Sequence, residues 1–140
     1  MLLMWTEKLS VGVKVLDEDH KKMIHMVNEL HGAIQAADAM GQMDRQEIEI
    51  ALHRLQNYTH YHFAREEALL SKTGYANLED HKQKHQALLD ALMEMSARFI
   101  GSTDPVAATE LMQFMYDWLT HHVNVTDKRY TEHLNEFGIF

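Results

Sequence analysis

This sequence predicts an all-α protein, an antiparallel up-down-up-down four-helix bundle with an N-terminal extended arm. Three observations carry that prediction. Four segments repeat apolar residues at steps of three and four, short polar links separate them, and no segment alternates with the period of a strand. The only proline, Pro105, falls where the fourth segment begins, a position a helix tolerates. At 140 residues the chain is read as a single domain, able to close one core without staples. An arm over residues 1–16 precedes helices expected at about 18–38, 45–70, 78–100 and 105–135.

The arm shows no sustained helical period. Trp5, Leu9, Val11, Val13 and Leu16 are expected to lie along the outside of the bundle, since a frayed tail would leave them wet. Asp17 is the expected N-cap of the first helix, with Glu18 and Asp19 in its first turn. The stripe of that helix reads His20, Ile24, Val27, His31, Ile34. Gly41 and Gln42 make the next turn, and Asp44 caps a second helix with the stripe Ile48, Leu52, Leu55, Thr59, His62, Glu66, Leu69. Ser71 to Gly74 end it. Asn77 caps the third helix, with Asp80 as a variant of the capping box. Its stripe is Leu78, His81, His85, Leu88, Leu92, Met95, Phe99, and Gly101 stops it. Asp104 and Pro105 open the fourth, which carries Leu111, Met115, Trp118, Leu119, His122 and Val125. The ten methionines read as pliable core filler.

Histidines stand on all four apolar stripes. A buried carboxylate such as Glu66 is costly unless neutralised, and no lysine or arginine shares its stripe. His62 and Glu66, at i and i+4, point at the same place, so a shared metal ion is the simplest partner. The competing reading is a surface helix with a polar stripe. Taken together, His20 early in helix one, His62 and Glu66 late in helix two, His81 and His85 early in helix three and His122 late in helix four meet at one end of an antiparallel bundle. Core histidines of independent origin would have no reason to follow that alternation. His31 alone reads better as an ordinary core or surface histidine.

Periodicity leaves the fourth helix open. A stripe through Phe114, Trp118, His121 and Val125 is nearly as good as the one through His122, and the carboxylate is Asp117 or Asp127. Five residues on a regular helix turn about 140°, so His122 and Asp127 share a site only where the helix is unwound or bulged.

Composition excludes several classes. With no cysteine, a metal must be held by nitrogen and oxygen, and disulfides and iron–sulfur clusters are ruled out. A formal charge of −8 argues against a nucleic-acid partner. No stretch is long and apolar enough for a membrane span, and Met1 to Trp5 lack the basic flank of a signal peptide, so a cytoplasmic location is expected.

The order His20, then His62-Phe63 with Glu66-Glu67, then His81 and His85, then Trp118-Leu119, His122 and Asp127 resembles hemerythrin in its bacterial, single-domain form. Trp5-Thr6, Leu9 to Gly12, Asp19-His20-Lys21 and Tyr58-Thr59 are similar to that family's flanking segments. The resemblance favours His122 and Asp127 over His121 and Asp117. His60, about 200° around the helix from His62, is read as outside the site. Nitrogen and oxygen ligands suit iron, manganese or zinc; the resemblance implies two irons. It assigns His81, His85 and His122 to one, His20 and His62 to the other, with Glu66, Asp127 and an oxo or hydroxo group as bridges. A roughly octahedral pair offers about twelve positions, and this set fills all but one. Dioxygen is the ligand implied there, inside an apolar wall of Phe63, Trp118, Leu119 and Val123.

The function so implied is reversible dioxygen binding for carriage, storage or supply, by a monomer, with an oxygen-consuming enzyme as recipient. Five neutral imidazoles favour the reduced pair more than carboxylate-rich sites do. The alternatives are an oxygen or redox sensor, or an oxidase or a peroxide- or nitric-oxide-handling enzyme. No further buried acid, base or nucleophile in the sequence supports the enzyme.

Overall fold

The structure, a computed structural model, describes residues 3–39, 45–102 and 105–140. Four long helices make the bundle: α1 (Lys14–Ala39), α2 (Arg45–Lys72), α3 (Leu78–Ile100) and α4 (Pro105–His121). Each packs against the next in sequence, and α4 closes back on α1. After α4 come a π-helical turn (His122–Thr126), a 3₁₀ turn (Asp127–Tyr130) and a short α5 (Thr131–Glu136). Among the described residues there is no strand, and no helix is long and apolar enough to cross a membrane. The expected turn at Gly41-Gln42 and the expected caps Asp44 and Asp104 lie outside the described residues.

The apolar stripes face inward. Ile24, Val27, Ile48, Leu52, Leu55, Leu92, Phe99, Leu111 and Met115 form the core, and each fully buried leucine there contributes about 1.5–3 kcal/mol. Thr59 shares their burial because its hydroxyl donates to the Leu55 carbonyl one turn back, at 2.7 Å. On α3 the fully buried line runs through Leu89 and Ser96, while Leu88 and Met95 are only half-buried. Met23, Met112 and Met115 are core filler, but Met4 and Met93 lie on the surface.

Two of the expected caps are built differently. α1 opens at Lys14 rather than near residue 18, because the Val13 carbonyl already accepts from the Leu16 and Asp17 amides. Asp17 therefore sits inside the first turn, and its carboxylate reaches back to the Val11 amide at 2.8 Å and the Ser10 hydroxyl at 2.5 Å. It ties down the arm instead of capping the helix. Asn77 occupies the N-cap position of α3 but makes no side-chain cap bond; its carbonyl accepts from His81, and Asp80 pairs with Lys84 at 3.0 Å. The end of α2 follows the expected chemistry. Gly74, at φ +67°, lets its own amide reach Ser71 and the Tyr75 amide reach Leu70, which satisfies the last carbonyls of the helix.

The arm is more deeply set than an outer strap. Val11, Val13 and Leu16 are fully buried, and a 3₁₀ turn spans Glu7–Leu9. Asn28 holds the Leu3 backbone at both its amide and its carbonyl, at 2.9 and 2.7 Å. The C-terminal segment holds the rest: the Thr131 hydroxyl donates to the Val11 carbonyl, Asn135 Nδ2 to Gly12 and Lys128 Nζ to Lys8. Gly12, at φ +72°, lies so close to Thr131 that a Cβ there would stand 2.7 Å from the Thr131 methyl. Gly12→Ala should therefore destabilise the protein by about 1–3 kcal/mol, read as a lowered midpoint in chemical denaturation.

Candidate metal centre

α1 brings His20 to the bundle interior, α2 brings His62 and Glu66, and α3 brings His81 and His85; all five are buried. His122 and Asp127 come from the chain after α4, and the π turn decides how they meet. Its wider turn adds a residue to the repeat, so that buried positions step from His122 and Val123 to Thr126 and Asp127. Val125, expected on the core stripe, is turned out and is 42% exposed. His121 and Asp117 remain on the surface, as does His60, and His31 is half-buried away from the cluster.

The seven side chains form two groups that share two members. Glu66, His81, His85, His122 and Asp127 make one; His20, His62, Glu66 and Asp127 make the other, with the ligand atoms of each within 4.8 Å of one another. Each carboxylate turns one oxygen to each group. Glu66 Oε1 lies 2.5 Å from His81 Nε2 and 3.1 Å from His85 Nε2, while Oε2 lies 3.3 Å from His62 Nε2 and 3.9 Å from His20 Nε2. Asp127 Oδ1 faces His122 Nε2 at 2.9 Å and His81 Nε2 at 3.4 Å, and Oδ2 faces His20 Nε2 at 3.2 Å. Neither Asp127 oxygen, though buried, has a hydrogen bond of good geometry.

Imidazole nitrogens also confront one another. His20 Nε2 and His62 Nε2 are 3.1 Å apart, and His85 Nε2 and His122 Nε2 are 3.2 Å apart. Two lone pairs so placed repel unless a proton or a cation lies between them. Nitrogens bound at about 2.1 Å and at right angles on one ion would stand about 3.0 Å apart, so the spacing fits two metal ions. The all-nitrogen-and-oxygen donor set and the unpartnered Asp127 oxygens fit them equally.

Outer partners hold the inner ones. His62 Nδ1 lies 3.0 Å from Asp19 Oδ2, and Asp19 in turn accepts from the Tyr58 hydroxyl at 2.9 Å, with Arg65 alongside at 3.4 Å. His85 Nδ1 lies 2.9 Å from Glu67 Oε2. The fully buried Tyr130 donates its hydroxyl to Glu66 Oε2 at 2.9 Å. A carboxylate behind a ligating imidazole fixes its ring and raises its basicity. The sequence sets Asp19 in a helix's first turn and in a segment similar to the family's opening, but gives it no partner, and gives Tyr130 no role. The available signal was an acid beside His20 at a buried position, and a tyrosine three residues after Asp127. Phe63 stacks on the His85 ring, 3.7 Å between centroids and 2° from parallel, and Trp118 meets Phe63 edge-on at 6.1 Å. Phe63, Trp118, Leu119 and Val123 are all buried.

Charge in the metal-free cluster settles on the imidazoles. Burial opposes protonation of His62, but the Asp19 and Glu66 carboxylates beside it outweigh burial and raise its pKa from 6.5 to about 10. His81, opposed by burial and favoured by Asp127 and Glu66, is raised to about 9. Glu66 and Asp127, despite burial, are held well below the usual carboxylate range by the facing histidines. The signs follow. The raised histidines stabilise the metal-free fold fully below pH 6.5 and lose that contribution as pH rises through 9 and 10. The lowered carboxylates contribute above their ordinary values and lose it in acid. A metal ion must displace the imidazole protons, so loading at pH 7 should release the protons of His62 and His81 in addition to any given up by a bridging water. Calorimetry in buffers of different ionisation enthalpy reads the release, which should drop by about two protons between pH 7 and a pH well above 10.

Fold and centre together define a four-helix bundle built around a two-metal site of five histidines and two shared carboxylates. Residues 11–134 match the family described as Hemerythrin HHE cation binding domain. Among curated proteins, the chain is 31% identical to a bacteriohemerythrin of Stenotrophomonas maltophilia, covering 98% of this chain and 87% of that one. It is 32% identical to a bacteriohemerythrin of Methylococcus capsulatus, covering 92% and 94%. A crystal structure of wild-type hemerythrin superposes with a TM-score of 0.81 at 31% identity, covering 96% of this chain and 98% of that one. The chain belongs to the hemerythrin family, and its two clusters match that family's di-iron centre.

Proposed function

We propose that this protein binds dioxygen reversibly at a di-iron centre held by His20, His62, Glu66, His81, His85, His122 and Asp127, and that it acts as an oxygen-binding protein rather than an enzyme. The observation that carries the reading is the asymmetry of the clusters: three imidazoles on one side and two on the other, around the same pair of carboxylates. When bound, an iron pair would supply two-electron, reversible dioxygen chemistry, held by three imidazoles on one side and two on the other. Glu66 and Asp127 hold the two sides together, with Tyr130 fixing Glu66 by a hydrogen bond. Asp19 and Glu67 orient His62 and His85. Phe63, Trp118, Leu119 and Val123 wall the centre with buried apolar surface, which excludes water and stray protons. A monomer in the cytoplasm that supplies an oxygen-consuming enzyme completes the reading.

The wall gives a direct test. Leu119→Asn, which puts an amide among those side chains, should leave the iron content unchanged and speed irreversible oxidation in air by tenfold or more, on the order of 1.4 kcal/mol off the barrier. Unchanged oxidation would remove Leu119 from the pocket. Rapid turnover of peroxide or nitric oxide by the parent protein would move the function to an enzyme.

A further inference from the structure

Beside the centre, a groove of about 470 Å³ opens between α3 and the end of α4. α3 runs away from the metal ligands, so Lys84 stands level with His81 and His85 while Leu88 lies a turn further out. α4 runs toward them, so Phe114 and Trp118 line the outer part of the groove and His122 its inner end, where Arg129 also lies. The groove is therefore graded, cationic beside the centre and apolar away from it. The Phe114 and Trp118 rings are nearly parallel, 7° apart with centroids 6.5 Å from each other, and make a flat apolar wall.

The charges select one kind of occupant. Lys84 is paired with Asp80 at 3.0 Å, and the Asp117 carboxylate on the rim accepts from Gln113 at 2.9 Å. Arg129 is exposed and, among the described residues, its guanidinium has no hydrogen bond, ion pair or ring contact. One uncommitted guanidinium fits a single carboxylate, and Asp117 repels a second negative charge. A neutral apolar molecule would leave the guanidinium unused. The volume is that of a small-ligand site. We propose that this groove binds a small amphipathic monocarboxylate, its carboxylate on Arg129 and its apolar body against Leu88, Phe114 and Trp118. The groove borders the metal centre through Trp118 and His122, but the proposal rests on Arg129 and the outer apolar wall and stands or falls without the oxygen-binding reading.

The test is isothermal calorimetry of the iron-loaded protein with octanoate, set against octan-1-ol and octylammonium. Octanoate should bind at one saturable site, about tenfold or more tighter than either comparator. Arg129→Ser, a change at an exposed position, should weaken octanoate about tenfold and leave octan-1-ol unchanged, whereas Leu88→Ser should weaken both. The proposal is overturned by any of three results: no saturable octanoate binding, equal binding of octan-1-ol, or an Arg129→Ser variant that binds octanoate as the parent does.

Discussion

Glu66→Ala should lose both irons and destabilise the fold, by about 3–5 kcal/mol in the metal-free protein alone. Glu66 is fully buried and its two oxygens face four imidazoles and the Tyr130 hydroxyl. Alanine there leaves His62 and His81 without the carboxylate that favours their charge, and leaves the Tyr130 hydroxyl buried without its acceptor, itself a loss of about 1–3 kcal/mol. Because Glu66 belongs to both clusters, no single-ion intermediate should survive its removal. Glu66→Gln keeps the shape and a carbonyl for Tyr130, so it should lose metal with a smaller loss of stability. Metal analysis together with thermal unfolding reads both quantities. A Glu66→Ala variant that retains two irons would show that Glu66 does not bridge them.

Stripping the metal from the parent protein should lower the melting temperature by roughly 20 °C or more. Ligand binding is coupled to folding, and two ions each present at a thousand times its dissociation constant contribute on the order of 8 kcal/mol. For a domain of this size each kilocalorie shifts the midpoint by about 3 °C or more. What remains is the ion-pair cluster, with His62 and His81 protonated against Glu66 and Asp127. The metal-free protein should therefore be most stable near neutral pH and weaken both in acid and above pH 9, whereas the loaded protein should be flatter across the alkaline range. Calorimetric melts from pH 4 to 10, with and without metal, test this.

Much of this was legible in the sequence because helical periodicity reports burial directly. His20, His62, Glu66, His81 and His85 fall on regular α-helices, where steps of three and four place them on the inner face. The fourth helix was not legible in that way. No periodic rule places His122 beside Asp127; the π turn does, and it also turns Val125 outward. Only the resemblance to the family pointed past the period. Asp17 misled for another reason: an aspartate before an apolar run has the signature of an N-cap, but here the tertiary demand to fasten the arm at Ser10 and Val11 uses its carboxylate. Tyr130 and Asp19 act through partners 64 and 43 residues away, on other helices, and local spacing carries no trace of such pairs.

Reversible dioxygen binding at this centre can be read by an optical titration. The purified, iron-loaded and reduced protein is followed from anaerobic to aerobic conditions, and oxygen is then withdrawn. A colourless form should gain near-ultraviolet and visible charge-transfer bands in air and lose them when oxygen is removed, through repeated cycles. Bands that appear and never reverse would contradict it, and would mark the centre as one that oxidises rather than carries.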